Sequence, residues 1–179
     1  IRPASRFNLA PLAGYTNLPF RLSIRELGGV GLCTTDLVNA RAIVQGIKKT
    51  MELLATSPAE RPLFVQIFGA DAGEMTAAAK WLVERKLADG IDINMGCPVR
   101  KVVKTGGGSS MMCDTTGATV KLVRKVVEAV PGPVTGKMRL GGGDEQLTAP
   151  VFARVFHACW VAAVVPHART RVIGFGVGD

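Results

Sequence analysis

Short apolar runs alternate with helical patterns along the whole chain, and this rhythm is what most limits the folds open to it. Phe7–Ala10 runs into Pro11 and Gly14, and Leu18–Leu27 then carries helical spacing. Gly31–Thr35 reads as a second strand closed by Asp36, followed by a helix over Ala40–Leu54. Leu63–Phe68 is a third strand ending at Gly69. Asp71 with Glu74 has the form of a capping box for a helix from about Ala72 to Lys86, with Met75, Ala79, Leu82 and Val83 on its apolar stripe. Ile91–Asn94 is a short strand, and Gly96-Cys97-Pro98 is the loop after it. Thr116–Val130 is an amphipathic helix with Ala118, Leu122, Val126 and Val130 on one stripe. Pro133–Arg139 is a strand, Leu147–Cys159 a helix with Pro150 in its first turn, and Ala162–His167 the last strand.

The order is therefore βα, repeated, and closed by a sixth strand. Such alternation predicts an α/β fold with a parallel sheet and covering helices. An open doubly wound sheet and a (β/α)8 barrel both satisfy it. A TIM barrel usually takes about 250 residues. A chain of 179 residues is then an incomplete one, with about six strands present. No linker of Pro, Gly and Ser divides it, so residues 1–179 are read as parts of one domain.

Composition narrows the classes further. Apolar residues make up 47% of the chain, which excludes a disordered tail. The longest apolar run, Ala158–Val165, is far short of the ~18 residues a membrane span needs. The N-terminus has no apolar signal core, so a cytoplasmic setting without a membrane partner is expected. The chain begins at Ile1 rather than Met, as expected of a fragment or a processed chain. Its net charge of +8 fits either plain solubility or a polyanionic partner such as nucleic acid. Cys33, Cys97, Cys113 and Cys159 form no CxxC pair, so neither a metal site nor a disulfide framework is expected.

In parallel α/β folds, active sites gather at the C-terminal ends of the strands. Here those ends deliver Pro11-Leu12-Ala13-Gly14, then Asp36 and Asn39, then Asp92, Asn94 and Cys97, then Lys137 and Arg139, and finally His167 and Arg169. Gln66 lies within the third strand, where a buried amide needs partners. Apolar neighbours at Val134 and Met138 favour an inward-facing Lys137. Cys33, Cys113 and Cys159 are read as small buried hydrophobes, and Cys97 would be read so too on its own. Arg100, Lys101 and Lys104 follow the cysteine loop, either as a solvated helix face or as phosphate contacts. Gly106-Gly107-Gly108 is a weak phosphate-loop signal by itself.

Five stretches carry a family resemblance: LAPLAGYTNLPFR (Leu9–Arg21), VQIFGAD (Val65–Asp71), DINMGCPVRKVVKTGGGSSMM (Asp92–Met112), KMRLG (Lys137–Gly141) and HARTR (His167–Arg171). In order and spacing the chain resembles the tRNA-dihydrouridine synthases, from about Phe7 to Arg171. The resemblance implies an FMN-binding (β/α)8 barrel followed by a helical tRNA-binding domain. This chain would be the N-terminal part of the barrel, without that second domain. It implies reduction of uridine in tRNA, with NADPH as electron donor. Pro11, Leu12 and Ala13 would lie against the flavin, Gln66 and Lys137 would hydrogen-bond its ring, and His167 would lie near its face. Cys97 matches the catalytic acid, and Asn94 and Arg139 match groups that meet the uracil. The chain departs from the family pattern at Gly136, Gly142, Gly143, Pro166 and Ala168.

The residue types suit that chemistry. Reducing a C5=C6 bond needs a hydride at C6 and a proton at C5. The hydride is the cofactor's business. The proton needs an acid still protonated at neutral pH, and a thiol ordinarily meets that condition. A cation in the place of Lys137 would stabilise the negative charge of a reduced flavin. Two other readings stay open on the residues: an FMN-barrel oxidoreductase acting on a free pyrimidine, and an inactive remnant that binds RNA through charge alone.

Overall fold

The computed structural model describes residues 3–114, 116–143 and 145–173. Its first strand, β1 (Phe7–Leu9), leads through a loop into α1 (Leu18–Leu27). Asn17 caps α1 by accepting from the Phe20 N–H, and Pro19 occupies the first turn. β2 (Val30–Thr34) and the two-residue β3 (Val38–Asn39) follow, separated by a break at Asp36. β4 (Leu63–Phe68), β5 (Gly90–Met95), β6 (Val134–Arg139) and β7 (Ala163–His167) complete the sheet. The strands run in parallel in the order β1-β2-β4-β5-β6-β7, and β3 pairs with β4 beyond the end of β2. The second strand of the sequence reading is thus one strand line interrupted at its active-site end.

Alternation along the strands separates two faces. Val65 and Ile67 of β4, Ile91, Ile93 and Met95 of β5, and Val134 and Met138 of β6 point outward into the main core. They pack there against α4 (Ala72–Glu84), α6 (Ala118–Ala129) and α7 (Ala149–Ala158), through Met75, Leu82, Leu122, Val126, Phe152 and Phe156. Each such side chain contributes about 1.5–3 kcal/mol when fully removed from water. The other face is concave. A cavity of about 440 Å³ is lined by Asn8 and Leu9 of β1, by Phe64 and Asp92, and by Ala163 and Val165 of β7. The two edge strands therefore look toward each other across one hollow, which makes the sheet an incomplete (β/α) barrel.

The helices depart from the sequence reading at informative places. The helix expected over Ala40–Leu54 is two, α2 (Ala40–Val44) and α3 (Lys48–Leu53). Gly46 breaks it at φ +65°, with Gly46 N donating to Ile43 O and Ile47 N to Ala42 O. This is the left-handed glycine ending that stops many helices. Asp71 caps α4 as expected, accepting from Glu74 N at 2.8 Å. Glu74 does not reach back, because its carboxylate pairs with Arg41 Nε at 2.7 Å. On α6, Thr119 and Val123 are buried beside Leu122 and Val126, while Ala118 is exposed. A short helix, α5 (Arg100–Val103), and a 3-10 helix over Gly108–Cys113 fill the connection after β5, where the sequence reading offered a helix face at Arg100, Lys101 and Lys104 as one alternative and no element over Gly108–Cys113. Pro166 of β7, the last strand of the order among the described residues, pairs opposite Met138. Among the described residues, no helix is long and apolar enough to cross a membrane.

Candidate active site

The β1–α1 loop is fastened from two sides. Gly14 N donates to Asp36 Oδ2 at 2.6 Å, while Asp36 Oδ1 accepts from Leu37 N at 2.7 Å. Beneath it, the fully buried Arg21 donates through Nε to Glu60, through Nη1 to Thr16 O at 2.7 Å and through Nη2 to Ala55 O at 2.9 Å. Burial pushes the Glu60 carboxyl up, but the hydrogen bonds and charge of Arg21 outweigh it and hold it below its ordinary value. The loop so anchored presents Leu12 and Ala13, both exposed, at the rim of the concave face.

Polar side chains continue across the floor. In β5, Asp92 and Asn94 are two residues apart and share the inner face. Gln66 pairs in register with Asp92, and Asn94 with Lys137. Gln66 Nε2 donates to Asp92 Oδ2 at 2.6 Å, and Asn94 Nδ2 donates to Gln66 Oε1 at 2.8 Å. Thr135 Oγ1 donates to Asp92 Oδ1 at 2.5 Å. All three of Gln66, Asp92 and Asn94 are buried, so the network satisfies groups that water cannot reach.

The network ends at the cysteine turn. Asn94 Oδ1 accepts from Gly96 N at 3.2 Å and from Cys97 N at 3.0 Å. Arg139 Nε donates to Gly96 O at 2.8 Å, and Arg139 Nη1 to Thr170 O at 2.8 Å. Cys97 is half-buried. Cys33 and Cys159 are buried as expected, and burial pushes the Cys33 thiol up. Cys113 is exposed, contrary to the sequence reading, because it ends the 3-10 helix at the surface beside Arg171.

Cations gather on the same rim. Burial pulls the Lys137 ammonium below its ordinary pKa, while the nearby Asp92 charge opposes that and Arg139 adds to it. Burial also lowers Arg139, helped by Arg169. His167 is lowered by burial and then by Lys137, Arg139 and Arg169. Charge of one sign, partly stripped of water, is an arrangement that favours an anionic or strongly dipolar ligand.

One cleft of about 220 Å³ is lined by Pro11, Leu12, Ala13, Gln66, Asn94, Cys97, Lys137, Arg139 and His167, together with Leu37, Gly96 and Pro98. Nine of the sequence candidates thus meet in one place, whereas Gly14, Asp36, Asn39, Asp92 and Arg169, also offered by the strand ends, do not line it. Pro11 and Lys137 also line the larger hollow, so the two spaces adjoin. Arg100, Lys101 and Lys104 do not reach the cleft and stand exposed on and after α5. Sequence reasoning assigned no role to Asp92, Thr135 or Arg21. The Asp92-x-Asn94 and Thr135-x-Lys137-x-Arg139 spacings carry the sign that these residues share a face. Nothing local marks Arg21, whose partner Glu60 lies far along the chain. Among the described residues, no group of three or more His, Cys, Asp or Glu side chains could hold a metal ion.

Comparison with known proteins agrees with this arrangement. A family profile described as dihydrouridine synthase matches residues 8–176. The chain is 36% identical over 168 residues to tRNA-dihydrouridine synthase B of Xanthomonas axonopodis pv. citri, covering 94% of this chain and 50% of that protein. It is 39% identical over 168 residues to a probable tRNA-dihydrouridine synthase of Rhizobium leguminosarum bv. phaseoli, covering 94% and 52%. A probable tRNA-dihydrouridine synthase of Mycobacterium tuberculosis is 38% identical over 178 residues, covering 95% and 46%. The chain spans about half the length of these curated relatives. With the profile matched over nearly its whole length, the chain belongs to the dihydrouridine synthase family.

Proposed function

We propose that this chain builds the uridine-reducing site of a tRNA-dihydrouridine synthase, which saturates the C5=C6 bond of a uridine in tRNA in the cytoplasm. The observation that carries this reading is the meeting of Cys97, Asn94, Gln66, Lys137, Arg139 and His167 with the Pro11–Ala13 loop in one cleft. Relatives bearing that name support it.

The residues present fit the ring of a flavin. Gln66 spends one N–H on Asp92 and one lone pair on Asn94, so its amide keeps one donor and one acceptor for a heterocycle edge. Lys137, poorly solvated at this depth, gains from a negative ring. Pro11, Leu12 and Ala13 offer apolar contact to a ring face. A flavin held there would, once reduced at the expense of NADPH, supply the hydride for C6 of the uracil. Cys97 donates the proton to C5, and solvent returns a proton to the thiolate. Asn94 and Arg139 hold the uracil edge, and His167 stands beside both ring systems. Arg100, Lys101 and Lys104 take tRNA phosphates outside the cleft, where exposed cations reach a backbone without desolvation. The groups that would meet the uracil lie inside this cleft, so the target uridine enters flipped out of its stack.

The test joins this chain to the C-terminal half of the Xanthomonas relative and supplies FMN and NADPH. Unmodified tRNA and free uridine are then compared as substrates. Dihydrouridine is expected in the tRNA, with free uridine reduced at least ~100-fold less efficiently, as phosphate contacts would be missing. Equal reduction of both would replace this reading by that of a free-pyrimidine reductase.

A further inference from the structure

Gly106, Gly107 and Gly108 lead from α5 into the 3-10 helix. Their setting is not that of an open phosphate cradle. Gly106 N donates to Val103 O at 3.0 Å, and Ser109 N donates to Cys97 O at 3.0 Å. Gly108 is buried at φ +59°. A Cβ placed on it would lie 2.6 Å from Cys97 O, 2.8 Å from Val102 Cγ1 and 3.3 Å from Cys97 Cβ. Only a bare Cα fits between the cysteine turn and α5.

The opposite side of the turn is held as firmly. Asn94 Oδ1 accepts from Gly96 N and Cys97 N, and Arg139 Nε donates to Gly96 O. Ser109 N takes the Cys97 carbonyl. Every backbone polar group of Gly96 and Cys97 is therefore tied, to β5, to β6 and to the 3-10 helix. Pro98 further confines the Cys97 backbone to extended conformations.

We propose that Gly108 and Ser109 are positioning residues for Cys97. Gly108 lets the 3-10 helix close against the buried side of the turn, and the Ser109 N–H fixes the peptide that carries the thiol into the cleft. The catalytic value of this rests on the reading of Cys97 as the proton donor, since an error of about 1 Å in placing a reacting group costs on the order of a hundredfold in rate. The geometric claim stands without it.

The experiment measures alkylation of Cys97 by iodoacetamide in the purified chain, resolved by peptide mass spectrometry, with Cys113 as the internal reference. Gly108→Ala is compared with Gly46→Ala. Both place alanine at a left-handed residue, but a Cβ at Gly46 (φ +65°) meets nothing within 4 Å. In Gly108→Ala the thiol is pushed off its support toward the cleft, and the Cys97/Cys113 rate ratio is expected to rise about threefold or more. Gly46→Ala is expected to keep the parental ratio. A parental ratio in Gly108→Ala, or an equal rise in Gly46→Ala, overturns the proposal. Should Gly108→Ala fail to fold, amide exchange in the parent chain decides. Alkylating Cys97 is expected to speed exchange of the Ser109 N–H on the order of tenfold while leaving α4 amides unchanged. An unchanged Ser109 rate overturns the proposal. Turnover enters neither measurement, so a Cys97 that is not the acid leaves this result standing.

Discussion

Gln66 donates its side-chain N–H to Asp92 at 2.6 Å, and this bond orients the amides between Asp92 and Cys97. Asp92 accepts from both Gln66 Nε2 and Thr135 Oγ1, so the Gln66 amide turns its nitrogen to Asp92 and its oxygen to Asn94 Nδ2. Asn94 then turns its oxygen to the Cys97 N–H. A backbone N–H can only donate, so the far end imposes the same polarity. The chain of amides is locked from both ends. The remaining donor of Asn94 is its second Nδ2 hydrogen, which is what a uracil carbonyl needs.

Asp92 holds that polarity at a cost. Burial pushes its carboxyl up from 3.8, against hydrogen bonds from Thr135 and Gln66 and the charge of Lys137. A carboxyl raised on folding binds its proton more tightly in the native state. Native stability therefore falls as pH rises from near the unfolded value through the raised one. Asp92→Asn escapes this loss and keeps the shape. It is expected to be as stable as the parent at pH 7, or more stable by up to about 2 kcal/mol, with the difference shrinking toward about pH 4. Denaturant unfolding at the two pH values checks this. A marked loss of stability at neutral pH would mean that attraction to Lys137 outweighs the burial of the charge.

Arg21 and Glu60 tie the β1–α1 loop to the segment before β4. Removing one partner leaves a buried charge alone. Arg21→Met is expected to cost about 3–5 kcal/mol of unfolding free energy. Arg21→Met with Glu60→Leu is expected to cost less than the two single changes summed. A double-mutant cycle by urea unfolding measures it, and additive losses would deny the coupling.

The strand ladder was legible because its apolar and polar residues alternate. LFVQIF places Val65 and Ile67 on the core face and Gln66 opposite, and the structure has them so. The tie from Asn94 to the Cys97 turn was not legible, because it depends on the loop's path. The pairing of Gln66 with Asp92 depends on strand register, which no local pattern states. Gly46 was a readable stop inside an otherwise continuous helical pattern, and the pattern hid it. Arg21 misleads differently. A charge on a short amphipathic helix reads as solvent-facing, and only a carboxylate 39 residues away makes its burial tolerable. Ser109 shows no sequence sign of its contact with Cys97, since that contact runs through its backbone.

Proton donation by Cys97 is the claim on which the functional account turns. The measurement is dihydrouridine formed in tRNA by the chain joined to the C-terminal half of the Xanthomonas relative, comparing Cys97→Ala with Cys113→Ala. Both thiols are free, and only Cys97 lines the cleft. Loss of a general acid is worth about 10²–10⁴-fold in rate. Cys97→Ala is expected to fall by that amount with FMN still bound, and Cys113→Ala to stay near the parental rate. Near-parental turnover in Cys97→Ala, or an equal fall in both variants, would contradict the account.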